Sequence, residues 1–126
     1  MQEKIAFLNN YRDCKSILNR VFVMDIIFQN FKNWIDSKKE LWKERGLIID
    51  EIVKSTYAHQ IHINLHSEDG FGHIGLFESN NIYWVEFEAA AREFENFYKY
   101  FEFERLPSFD NVEQEYIWFM TGKEHK

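Results

Sequence analysis

Between Ser55 and Glu88 the side chains alternate in a way that leaves the backbone little choice. His59, Ile61, Ile63 and Leu65 share one parity, and Gln60, His62, Asn64 and His66 share the other. That is the period of a strand with one buried and one wet face. Asp69-Gly70 carries the turn residues of one hairpin, and Ser79-Asn80-Asn81 those of a second. Between the turns Ile74 and Leu76 alternate with His73 and Phe77. Beyond them Tyr83, Val85 and Phe87 alternate with Trp84, Glu86 and Glu88. The reading is an antiparallel meander of three strands whose apolar face the rest of the chain must cover.

Helical periods supply the cover. Val23, Ile26, Ile27, Phe31, Trp34, Ile35, Lys38, Leu41 and Trp42 follow a 3.6-residue spacing over a helix from Phe22 to Arg45, with Lys38 the one polar member of the stripe. Trp34 is expected to be buried against the sheet. Lys39, Lys43 and Arg45 suit the C-terminal end of the helix dipole, and Gly46 is the stop. A separate helix is expected over residues 2–20, from Ile5, Leu8, Tyr11, Ile17 and Leu18. Leu47–Val53 reads either as a further strand or as the run-in to Tyr57.

The segment Ala89–Glu104 also has two readings. Phe94, Phe97, Tyr98 and Phe101 fit a helix, whereas Phe101 and Phe103 alternate with Tyr100, Glu102 and Glu104 as on a strand. The preferred reading is a turn or short helix over Ala89–Phe94, then a strand over Phe97–Glu104. Past Leu106-Pro107, a last helix carries Val112, Tyr116, Phe119 and Met120 on one face, with Asp110 and Glu113 at capping-box spacing and Gly122 as the stop. The expected fold is one α+β domain over residues 1–126: a mostly antiparallel sheet of four or five strands, covered on one face by the two helices.

Charge is unevenly spread. Residues 1–67 hold ten Lys or Arg against eight Asp or Glu, whereas residues 68–115 hold three against twelve. A half this acidic repels nucleic acid and attracts a cationic protein surface. It equally serves as a solubilising surface. The single cysteine, Cys14, excludes an internal disulfide and fits a reducing compartment. No apolar run is long enough to span a membrane, and the charged start MQEKIAFLNNYRDCK is unlike a signal peptide. The expectation is a soluble cytoplasmic protein with no membrane partner.

Catalytic and metal signatures read poorly. His62 and His66 lie four residues apart on one strand, about 13 Å, too far to share an ion. His59 points to the other face, so a cross-strand His66–His73 pair is the best remaining chelate, and it has no placed carboxylate. Glu86 and Glu88 read as part of a solvated carboxylate row with Glu102 and Glu104 rather than an acid–base pair. GFGHIG lacks the helix and lysine of a phosphate loop. Cys14 has no basic partner. No catalytic residue, cofactor or metal is expected.

One surface does stand out. If Ile82–Glu88 pairs with Phe97–Glu104, the outer face gathers Trp84, Tyr98 and Tyr100 among Glu86, Glu88, Glu102 and Glu104, the composition of a dock for a basic protein. A C-terminal helix packed over these aromatics would instead make them core.

The Phe-x-x-Trp step in FKNWI (Phe31–Ile35), the hairpin GFGHIGLFES, the run IYWVEFE and a terminal helix after SFDN ending in IWFM resemble the TriTu family. That family belongs to the immunity proteins of bacterial polymorphic and contact-dependent toxin systems. The resemblance spans Phe22 to Met120. It implies a non-enzymatic protein that binds a cognate toxin domain, often a basic nuclease, and blocks it; it carries over no catalytic residues. Two other classes stay open: a small acidic regulator or phage-type inhibitor of another protein, and a ligand-binding or enzymatic α+β domain with a pocket between helix and sheet.

Overall fold

A computed structural model gives the architecture. It describes residues 2–55, 59–93 and 95–122, with side chains from residue 23 onward. The elements run α1 (Gln2–Glu44), β1 (Ile48–Ser55), β2 (Gln60–His66), β3 (Gly70–Ser79), β4 (Ile82–Ala91), β5 (Glu95–Phe103) and α2 (Asp110–Thr121). The fold is α+β: a five-stranded antiparallel sheet in the order β1-β2-β3-β4-β5, with α1 and α2 on one face.

Where two helices were expected there is one, 43 residues long. Residues 2–45 contain neither glycine nor proline, so nothing in the chain interrupts the hydrogen-bond ladder. The side chains of Ile5, Leu8, Tyr11, Cys14, Ile17, Leu18 and Phe22 lie outside the described residues, as do Tyr57 and Phe94. The helix stops where the sequence said it would. Gly46 takes φ 94, its N–H donates to the Lys43 carbonyl, and the Leu47 N–H donates to the Trp42 carbonyl. Those bonds make a Schellman cap, with Leu47 and Trp42 both buried.

The buried stripe of α1 is narrower than the periodicity suggested. Ile27, Phe28, Phe31, Ile35 and Trp42 are buried, whereas Val23, Ile26 and Leu41 are exposed. Trp34, expected in the core, is only half-buried; its ring packs against Phe31, Trp42, Phe87 and Phe109 at the margin. Trp42 takes the interior place, at 1% exposure. Lys38 sits on the stripe because it has a partner there. Its Nζ lies 3.2 Å from Glu113 Oε1 on α2, and the Trp42 indole donates to Glu113 Oε2 at 2.9 Å. The expected capping box is therefore absent: Phe109 is the N-cap and makes no side-chain cap bond. Glu113 is buried and committed to α1 instead.

Leu47–Val53 resolves as strand β1. The three alanines, expected in a turn or short helix, continue β4, where Ala89, Ala90 and Ala91 pair with Gly72, Phe71 and Gly70 on one side and with Phe97, Asn96 and Glu95 on the other. Pairing on both edges overrides the helix propensity of alanine. Small residues are wanted here because α2 comes close: the Tyr116 hydroxyl donates to the Glu88 carbonyl at 2.8 Å. A Cβ on Gly72 would lie 2.4 Å from that hydroxyl oxygen. The second meander turn forms as read, with Asn80 and Asn81 at φ 52 and 66, as a two-residue type I′ loop requires. The first falls one residue earlier than Asp69-Gly70, because Gly70 already belongs to β3 and its carbonyl accepts from the Ser67 N–H. No helix among the described residues is long and apolar enough to cross a membrane.

Candidate functional site: the open face of the sheet

Strand alternation divides the sheet into a covered and an open face. Ile61, Ile63, Leu65, Ile74, Leu76, Val85 and Phe87 pack under the helices. The opposite parity, which no helix covers, carries four rows across the strands. The first runs Ser55–Gln60–Phe77–Trp84–Glu102, and the second Val53–His62–Gly75–Glu86–Tyr100. The third runs Glu51–Asn64–His73–Glu88–Tyr98, and the fourth Ile48–His66–Phe71–Ala90–Asn96.

Six of the seven residues expected to form one surface do so. Trp84 faces Glu102, Glu86 faces Tyr100 and Glu88 faces Tyr98. Glu104 does not join them, because it follows the last paired residue of β5 and has no cross-strand neighbour in the register. The aromatics are not core. Tyr98 is 56% and Tyr100 44% exposed, and α2 lies on the other side of the sheet. Trp84 is half-buried because its ring stacks on Phe77, 5.5 Å between centroids. Phe77 in turn lies over Gly75, where a Cβ would meet the Phe77 ring at 2.8 Å. Phe71, at 71% exposure, adds an aromatic corner that the pairing of β4 with β5 alone could not reveal.

The open face is acidic. Glu51, Glu86, Glu88 and Glu102 point from it, and Asp50, at the irregularity in β1, adds a fifth carboxylate beside His66. Among the described residues of the five strands, no lysine or arginine shares that face: Lys54 and Lys99 have the opposite parity. Charged and polar pairs hold it in shape. The His66 imidazole meets Asp50 Oδ1 at 2.6 Å, the Asn64 amide donates to Glu51 Oε1 at 2.7 Å, and His73 Nε2 lies 3.1 Å from Glu88 Oε2. The cross-strand His66–His73 pair, which the alternation left as the best remaining chelate, does not form; His66 stands opposite Phe71, and His73 opposite Asn64 and Glu88. Sequence reasoning thus missed a carboxylate placed directly beside His73. The third row of the register carried that signal, but only once β3 and β4 were aligned.

Tyrosine and glutamate hydroxyl–carboxylate bonds run along the edge. Tyr98 donates to Glu86 Oε1 at 3.3 Å, and Tyr100 to Glu102 Oε1. The Glu102 carboxylate that accepts its hydroxyl, with some desolvation, pushes the Tyr100 phenol up to about 12. Desolvation and the Glu86 charge raise Tyr98 as well. Ionising either phenol would set an anion against carboxylates, so the protonated form is favoured. A near-ultraviolet titration, differenced against Tyr100→Phe, should therefore show one phenol ionising well above the ordinary tyrosine range. Glu102→Gln should bring that midpoint down; an unmoved midpoint would mean the hydroxyl does not bond Glu102 in solution.

Both faces of the sheet carry a concavity. One, of about 290 Å³, lies on the open face between Asp50, Asn64, His73, Glu88 and Asn96. The other, about 480 Å³, lies between α1 and the sheet among Asp25, Phe28, Gln29, Lys32, Lys54 and Ile61. Lys32 there pairs along the helix with Asp36 at 3.8 Å. Glycine-rich GFGHIG lies extended within β3, not as a loop before a helix. Compared with known proteins, no family model, no curated protein and no solved structure matches this chain.

Proposed function

We propose that this protein is a non-enzymatic immunity protein, binding a cognate toxin domain through the open face of its sheet and so neutralising it in the cytoplasm. The observation that carries the reading is the composition of that face: five carboxylates with exposed tyrosines and a stacked tryptophan, and no lysine or arginine among its described residues. A cationic protein surface, such as that of a basic nuclease, is the complementary partner. Carboxylates steer encounter, while Trp84, Tyr98 and Tyr100 supply the amphipathic anchors that dominate interface energetics. The sequence resemblance to toxin-immunity proteins supplies the class of partner, and the face supplies the chemistry.

The test is a binding series on the toxin domain encoded beside the gene. Charge reversal at Glu86, Glu88 and Glu102 should slow association steeply at low salt and abolish protection, with thermal unfolding little changed because Glu88 and Glu102 are exposed and Glu86 is only partly buried. Trp84→Ala should act mainly on dissociation, with a loss of about 2 kcal/mol or more. Wild-type association by the charge-reversed protein would remove this face as the interface. Lys39 and Lys43 of α1, both exposed, would then be the next surface to substitute; Lys38 would not, because it is engaged by Glu113.

A further inference from the structure

We propose that His73, Glu86 and Glu88 bind a divalent transition-metal cation of the zinc type on the open face of the sheet. One donor atom from each residue lies within 4.8 Å of the others. The register explains why. His73 on β3 stands directly opposite Glu88 on β4, and Glu86 lies two residues along β4 on the same face. His73 Nε2 and Glu88 Oε2 are already 3.1 Å apart. Donors bonded to one zinc ion at about 2.1 Å sit roughly 3–4 Å from one another, so the glutamates need close in by only about an ångström.

Three features beyond proximity favour a cation here. The Glu86 and Glu88 carboxylates lie close together on a face whose described strand residues include no lysine or arginine, with His73 paired to Glu88. Like charges held this way gain most from a shared cation. The Tyr98 hydroxyl donates to Glu86 Oε1 at 3.3 Å, the kind of outer hydrogen bond that orients a metal-ligating carboxylate. The His62 ring lies 6.4 Å from that of His73, adding a second imidazole at the rim. One imidazole and two carboxylates suit a zinc-type ion, whereas magnesium prefers oxygen donors and retains its waters. The spacing of His62 and His66 along β2 still forbids a chelate on that strand. This site arises instead from one histidine and two glutamates across β3 and β4. It stands independently of the toxin-binding reading.

Isothermal titration of the full chain with zinc chloride, with magnesium chloride as the comparison, tests it. The expected result is saturable uptake of one zinc per chain near neutral pH, accompanied by proton release, and no saturable magnesium uptake. His73→Ala and Glu88→Gln should each weaken zinc binding at least about 10-fold, and Tyr98→Phe should weaken it by a smaller factor. The metal-free variants should unfold close to the wild-type temperature, because Glu88 and Tyr98 are exposed and His73 is partly so. Absence of saturable zinc uptake would overturn the proposal. So would uptake at undiminished affinity by both His73→Ala and Glu88→Gln, which would move the ion to a pair such as His66–Asp50.

Discussion

Glu113→Ala should destabilise the protein by about 3–5 kcal/mol, because it deprives two groups of their partner rather than one. The carboxylate is buried, with Lys38 Nζ 3.2 Å from one oxygen and the Trp42 indole N–H 2.9 Å from the other. Removing it leaves the Trp42 indole N–H with no acceptor inside the core and the partly buried Lys38 ammonium without its counter-charge. The ion pair itself is a weaker asset than its loss suggests. Replacing the charged pair together, as Lys38→Met with Glu113→Gln, keeps an acceptor for Trp42 and discards the buried charge. That double variant should recover most of the lost stability. Urea unfolding of the two single variants and the double one measures the coupling. Equal losses from Glu113→Ala and Glu113→Gln, with no recovery in the double variant, would show that packing and not charge sets the cost.

Phe87→Ala should be the most damaging truncation in the sheet, at about 3–5 kcal/mol. Its ring is fully buried and meets Trp34, Phe101, Phe109 and Tyr116, with centroids between 5.7 and 6.5 Å away. It thus joins both helices, β5 and the segment before α2. Trp34→Ala removes a larger side chain but should cost less, since that indole is only partly buried and the void can open to solvent. Thermal and urea unfolding of the two variants ranks them directly. A larger loss at Trp34 than at Phe87 would place the mechanical centre of the core on the helix margin.

Period and turn chemistry are local, and they were legible. The alternation of Gln60–His66, the paired asparagines at positions 80 and 81, and the glycines that end both helices each report on a few neighbouring residues. The open face followed from them, since β4 and β5 have to pair for Trp84, Glu86 and Glu88 to meet Tyr98, Tyr100 and Glu102. What stayed hidden depended on partners distant in sequence. Lys38 looked like a flaw in an apolar stripe, and Glu113 like half of a capping box, until α1 and α2 were placed side by side. The alanines of Ala89–Ala91 read as helix formers because nothing in their own neighbourhood records the approach of Tyr116. Trp34 and Trp42 fall on the same stripe, and only the tilt of the helix across the sheet decides which goes inside. The His73–Glu86–Glu88 group was invisible for a related reason. Its members come from two strands, and the histidine pattern along one strand pointed away from it.

The order of elements also sets a sequence of events in time. Every strand pairs with its chain neighbour, so the sheet can zip through successive hairpins of low sequence separation. The clamp between Trp42 and Glu113 is different, because 71 residues separate its two ends. It closes only after the meander exists to bring them together. Contacts made that late are absent from the rate-limiting barrier, so loosening the clamp should leave the speed of folding nearly unchanged and quicken escape from the native state. The helix that begins the chain is thus secured by the one that follows the sheet, and the lifetime of the folded protein rests on the step completed last.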